Sequence, residues 1–333
     1  MASRILARLP IDPYLLALAA TVGLATLVPA HGAGALVLDQ TVQLAIALLF
    51  FLYGARLAPR AVAEGLAHWR LQSLVFASTF VLFPLVALAL TTALRPWLSP
   101  NLALGLMFVS VLPSTVQSSI AFTAIARGNV PAALCSATVS NLAGMVMTPL
   151  LVGLLLNAHG SGFSAKALEG IALQLLLPFA LGQIARPWLA GALARHPTVT
   201  AMVDRGSILL IVYSAFSAGM VAGIWSQIDR TGLELVIGLS IAMLASVLAI
   251  TTAVSRWLGF ARPDEIAIVF CGSKKSLASG ISMANILFAG QPVGLIVLPL
   301  MLFHQAQLFA CAMLAQRYAA RTTAPAEPGL APR

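Results

Sequence analysis

Charge is scarce in this sequence. Only 9% of its 333 residues are Asp, Glu, Lys or Arg, against about 25% in a soluble domain. That shortage excludes a water-soluble enzyme or binding module. Cysteine is scarce too: Cys135, Cys271 and Cys311 each fall in an apolar run, without metal-ligand spacing, so neither a zinc module nor a disulfide framework is written here. Two-residue alternation over ~10-residue strands is missing, which excludes a membrane barrel. The chain has no GxxxxGK[ST] loop, which argues against ATP-driven pumping. The formal net charge is +9, but the basic residues stand singly between apolar runs, so nucleic acid is not an expected partner.

What remains is apolar sequence, 60% of the chain. A span needs about 20 apolar residues. Ten runs qualify: roughly 13–30, 41–57, 71–94, 101–125, 131–157, 168–185, 207–225, 232–257, 264–289 and 292–316. The first imitates a signal peptide, with Arg4 and Arg8 ahead of it, but so many spans follow that it reads as retained. Residues 1–12 form a short N-terminus, and 321–333, rich in Pro and Ala, read as a disordered tail. With both termini in the cytoplasm, 14 basic residues fall inside (Arg4, Arg8, Arg56, Arg60, Arg70, Arg127, Arg186, Arg195, Arg205, Arg256, Arg262, Arg317, Arg321, Arg333). Three fall outside: Arg95, Lys166 and Arg230. This asymmetry fits a multi-pass protein of the plasma membrane, the inner membrane of a bacterium.

Two basic residues belong to no loop. Lys274 and Lys275 lie in GSKKSLASG, Gly272–Gly280, in the middle of span nine. Span four has its own polar interruption, LPSTVQSS, at Leu112–Ser119. Each interrupted span ends in a Gly-containing loop followed by Pro, ARGNVP before span five and FAGQP before span ten. Five spans per half is odd, so repeats at about 13–157 and 168–316 have opposite orientation. Matched interruptions in inverted halves point to the binding site of a secondary transporter.

IARGNVPAALCSATVSNLAGMVMTPLL, from Ile125, resembles the bile acid:sodium symporter family. FFLYGARL in span two and VFCGSKKSLASGISMANILFAG in span nine resemble its orphan branch of bacterial and vertebrate carrier-like proteins. The resemblance covers about residues 13–320 and implies an all-α polytopic membrane protein: ten transmembrane helices in two inverted five-helix repeats. Spans 1, 2, 6 and 7 would form a panel. Spans 3–5 and 8–10 would form a core domain in which broken helices four and nine cross. It further implies a transporter of a small organic anion and no enzyme. At the family's sodium positions this chain departs. Ser118 and Ser119 stand where span four has a Ser-Asn pair, and Ala133 and Ala137 stand where span five offers hydroxyls. Span nine has no carboxylate at its break, and Lys274 replaces a Gln. Sodium is a hard cation that needs oxygen ligands, so sodium, proton or no coupling all stay open. So does a shifted sodium site near Ser119 and Asn141.

An ammonium at the bilayer centre costs at least about 2.5–3.5 kcal/mol unless it finds partners. Lys274 or Lys275 is therefore expected to meet half-helix carbonyls together with Ser118, Ser119, Asn141 and Ser273, as a tethered cation or as a structural lock. Neighbours on a helix diverge by about 100°, so both should not enter one site. Thr138 and Ser140 on span five and His304 on span ten complete the candidate set, His304 as a proton relay or as a neutral core His. Gln43, Ser214 and Ser217 are weaker candidates from the panel side, and Asp39, Asp229 and Glu234 read as interfacial. No cofactor is expected, and monomer or homodimer stays open. The competing readings are a non-transporting membrane regulator or scaffold and, more remotely, an intramembrane hydrolase built on a Ser-Lys pair.

Overall fold

The computed structural model describes residues 13–56, 68–156, 173, 176–221, 223 and 230–323. Lys166, Asp229, the first twelve residues and residues 324–333 lie outside that set. Among the described residues every element is helical. In chain order they are α1 (Pro13–Leu27), α2 (Ala33–Arg56), α3 (Trp69–Ala77), a π-helical turn (Ser78–Leu82), α4 (Phe83–Ala93), a short 3-10 turn (Arg95–Trp97), α5 (Pro100–Val111), α6 (Gln117–Ile125) and α7 (Val130–Leu156). After them come α8 (Leu177–Arg195), α9 (Pro197–Val221), α10 (Arg230–Trp257), α11 (Arg262–Gly272), α12 (Leu277–Leu287) and α13 (Val293–Thr323). Six are long and apolar enough to cross a membrane, counting Trp69–Ala93 as one and taking the last as Val293–Ala320. This is a multi-pass membrane protein.

Several element edges differ from the hydropathy reading. The second helix starts at Ala33, not near 41, because AGALVLDQ carries two polar residues that lower hydropathy without breaking a helix. Asp39 therefore sits inside α2, not at a span end, and accepts a hydrogen bond from Ser214 Oγ at 3.3 Å. Residues 186–206, read as a loop, are helical on both sides of His196, since Leu, Ala and Arg favour helix whether or not they favour lipid. The predicted interruptions are observed. Residues Leu112–Val116 separate α5 from α6, and Ser273–Ser276 separate α11 from α12.

The chain divides into two compact units. One contains α1, α2, α8 and α9, together with Ile281–Val297. Its tightest contact is between α2 and α8. A Cβ on Gly54 would strike the carbonyl of Phe179, and one on Gly182 would strike the carbonyl of Phe51, so each glycine lets the other helix's backbone approach. Arg56 and Asp204 make a bidentate ion pair in the same unit, at 2.8 and 2.7 Å.

The other unit contains α3–α7, α10, α11 and the greater part of α13. Its ARGN turn shows why those four residues are written. The Gly128 amide donates to Thr123 O at 2.8 Å and the Arg127 amide to Ala124 O at 3.1 Å, the paired bonds of a Schellman C-cap. The left-handed residue is Arg127, at φ 59°, not the glycine. Gly128 is required for a different reason: a Cβ there would collide with Ile266 and Thr123. Asn129 then caps α7 by accepting the Ala132 amide at 3.0 Å, and its side-chain nitrogen donates to Asp264 at 2.7 Å.

Candidate functional site

A helix that ends in a buried place leaves its last carbonyls without intrahelical donors, and those carbonyls need partners other than water. The two interrupted helix pairs solve this differently. At the end of α11, hydroxyls do the work. Ser114 Oγ donates to Cys271 O at 2.6 Å, Ser119 Oγ to Phe270 O at 3.1 Å and Ser78 Oγ to Gly272 O at 2.9 Å. At the end of α5, Thr148 Oγ1 donates to Val111 O at 2.8 Å, and the remaining carbonyls receive an ammonium. Lys275 Nζ donates to Ser110 O at 2.7 Å and to Leu112 O at 2.8 Å.

The third proton of Lys275 goes to Thr79 O at 2.7 Å. That carbonyl is available for a reason visible in the backbone. In the π-helical turn, the Phe83 amide reaches back to Ser78 O instead of Thr79 O. The next residue is Pro84, which has no N–H to give. Thr79 O is thus left without either normal helical donor. The Phe83 ring lies 4.1 Å from Lys275 Nζ, which adds a cation–π attraction. Three carbonyls at hydrogen-bond distance require three N–H donors, and only the charged amine has three. The side chain is wholly buried, so it is held as a desolvated cation with every proton assigned.

Lys274, also wholly buried, turns the other way. Its Nζ donates to Ser118 O at 2.6 Å, at the start of α6, and lies 4.1 Å from the Phe122 ring and 5.4 Å from the Phe270 ring. The two lysines diverge to opposite sides of the break between α5 and α6. They do so from the non-helical stretch 274–276, so the 100° helical step is not the cause.

The other candidates fall into supporting places. Ser118 offers its carbonyl to Lys274 and its hydroxyl to Thr115, 2.6 Å away. Ser273 donates to Val269 O, one turn back on its own helix, at 2.5 Å. Ser140 Oγ accepts the Ser114 amide at 3.0 Å. The Asn141 side-chain nitrogen donates to Ser114 O at 2.7 Å and Ala137 O at 3.1 Å, while its oxygen accepts from Ser279 Oγ at 3.0 Å. Thr138 is half-buried one turn before Asn141. His304 Nδ1 meets Gln307 Nε2 at 2.8 Å. An amide nitrogen only donates, so Nδ1 is an acceptor there. Gln307, fully buried, also accepts the Lys275 amide at 2.8 Å and donates to Lys275 O at 3.0 Å. It pins the backbone on which the ammonium is mounted.

The sequence leads one to expect half-helix carbonyls together with Ser118, Ser119, Asn141 and Ser273 around an ammonium. The acceptors are four backbone carbonyls, those of Thr79, Ser110 and Leu112 for Lys275 and that of Ser118 for Lys274. Thr79, Phe83 and Ser114 were missed as participants, and Pro84 inside span three is the signal that pointed to Thr79. Among the described residues no cluster of three His, Cys, Asp or Glu side chains is placed to hold a metal ion.

Broken helices whose free carbonyls converge on a cation are the architecture of ion-coupled membrane carriers. The comparisons agree: the chain matches the SBF-like CPA transporter family over residues 12–320 and belongs to it. It is a membrane carrier by family, not an enzyme. It is 54% identical to an uncharacterised protein of Pseudomonas aeruginosa over 93% of both chains. It is 47% identical, over 94% of both, to an Escherichia coli protein named "Putative symporter YfeH". Sodium/bile acid cotransporter 7 of Rattus norvegicus is 28% identical over 93% of both chains.

Proposed function

We propose that this carrier is a secondary active transporter of a small organic anion, and that Lys275 is a tethered cation taking the part that bound sodium plays in sodium-coupled relatives. The supporting observation is the three-carbonyl seat of its Nζ at 2.7, 2.7 and 2.8 Å. An ammonium seated there occupies the acceptors a sodium ion would need. Asn141, the best oxygen ligand for a shifted sodium site, already has both ends of its amide engaged. Lys274, with one carbonyl and two rings, is the more weakly held ammonium and the better candidate to face substrate or exchange a proton. Ser118, Ser119, Thr138, Ser140, Ser273 and His304 are assigned to the shell that shapes the two lysine seats.

The proposed frame is ten spans in two inverted repeats, about 13–157 and 168–316, in a bacterial inner membrane with both termini cytoplasmic. The paired breaks after Val111 and Gly272 support the repeat, and the 14-to-3 split of basic residues supports the orientation. Relatives from Pseudomonas and Escherichia support the compartment. The anion follows from the chain's excess positive charge and from the bile-acid cotransporter name carried by a relative.

One observation favours a second reading. With both lysines wholly buried, the broken helices are fastened together as they would be in a carrier-fold protein that signals without transporting. Uptake of a panel of organic carboxylates and steroid conjugates into proteoliposomes, with sodium or choline outside, separates the two. Uptake that survives choline supports the transporter. No uptake of any panel member supports the regulator.

A further inference from the structure

We propose that the groove between α10 and α13 is a binding site for an anionic phospholipid, with the phosphate on Arg256 and Arg317 and an acyl chain along the helices. The groove encloses about 490 Å³. It is open because α10 presents Ala249 and Ala253, and α13 presents Ala310, where larger side chains would close it. Leu248 and Leu314 line its apolar wall, and Arg256 and Arg317, each C-terminal to the alanines of its own helix, line it as well.

Three observations fix the kind of ligand. The first is depth. Trp257, next to Arg256, is 84% exposed, and an exposed Trp at the end of a membrane helix marks the headgroup level. The arginine end therefore meets phosphates and the alanine end meets acyl chains. The second is length. Arg256 to Leu248 is a rise of roughly 12 Å at 1.5 Å per residue, most of the ~15 Å of one leaflet's hydrocarbon. A free anion would leave that apolar length unused, and a neutral lipid would leave the arginines unused. The third is charge. Arg256 is paired with Glu265 at 2.9 Å, and Asp264 is engaged by Asn129. Arg262 Nη2 points to Tyr318 O, at 3.4 Å. Arg317 is exposed and makes no ion pair among the described residues. Of the two groove arginines, Arg256 is balanced by Glu265 and Arg317 is not, which leaves one positive charge to suit one phosphodiester.

The site is independent of the lysine seats and of what the carrier transports. The test uses the full chain, delipidated in detergent, and measures retained lipid by native mass spectrometry after exchange against equal phosphatidylglycerol and phosphatidylcholine. Phosphatidylglycerol should be retained several-fold in preference. Arg317→Gln should reduce that preference about fivefold, the weight of one surface arginine on an anionic lipid. Ala253→Leu, at an exposed position that does not disturb packing, should displace both lipids by filling the groove. Glycerol phosphate should not compete. Equal retention of the two lipids, an unchanged preference in Arg317→Gln, or full competition by glycerol phosphate would each overturn the proposal.

Discussion

Replacing Lys275 with Met keeps much of the side chain's length and removes its charge. Three carbonyls, those of Thr79, Ser110 and Leu112, then face one another in a buried site with no donor. Breaking a buried charged pairing by removing one partner typically costs about 3–5 kcal/mol. The Phe83 contact at 4.1 Å adds to the loss. The relief of desolvating the ammonium is already included in that net figure, so we expect about 3–5 kcal/mol, not the sum of three charged hydrogen bonds. With about 2.1 cal/mol/K of unfolding entropy per residue, a chain of this size should melt roughly 4–7 °C lower. A second substitution tests the reason for Thr79. Pro84→Ala restores an N–H within reach of Thr79 O. In the Lys275→Met background it should recover about 1 kcal/mol, while in the parent it should recover nothing. Melting of the four proteins in one detergent completes the cycle. If Lys275→Met melts like the parent, or Pro84→Ala has the same effect in both backgrounds, the three-carbonyl seat is not what holds these helices.

Lys274→Met should be milder, about 1.5–3 kcal/mol by the scale of one hydrogen bond from a charged group, because its Nζ has one carbonyl partner and two rings; equal losses at 274 and 275 in the same melting series would contradict the assigned difference. Gln307→Leu should unseat Lys275 without removing it, lowering stability by about 1–3 kcal/mol through unpaired backbone groups; urea-induced unfolding identical to the parent would show that Gln307 is a bystander. Gly54→Ala should cost more than 1 kcal/mol, since its Cβ meets backbone and not a flexible side chain. Purification yield and melting check it, with the open-facing Gly191→Ala as a control expected to be neutral.

Long apolar helices were legible because lipid demands a single property over about 20 residues, and six of the described helices meet it. The interruptions were legible because polar residues in such runs are costly, so Leu112–Ser119 and Gly272–Gly280 stood out. Both lysines were found for the same reason. Half-helix carbonyls were legible as their acceptors, but not which ones, since a backbone carbonyl has no letter in the sequence. Ser110 and Leu112 look like filler, and Thr79 matters only because a π-turn and Pro84 together remove its helical donors. Hydroxyls were legible as site candidates but not their partners: Ser119 donates to Phe270 O and Ser273 to Val269 O. The ARGN turn was recognisable as a motif, yet the left-handed residue proved to be Arg127, because packing against Ile266 had already claimed the glycine.

In the proposed carrier a covalently attached ammonium occupies the acceptors that sodium would use. The direct measurement is the melting temperature of the purified full-length protein, titrated with sodium chloride against choline chloride at constant ionic strength and pH. An ion that binds only the folded state raises apparent stability by mass action. The two titrations should superimpose. A saturable, sodium-specific rise in melting temperature would mean that the chain binds the ion despite Lys275, and the tethered-cation account would fail.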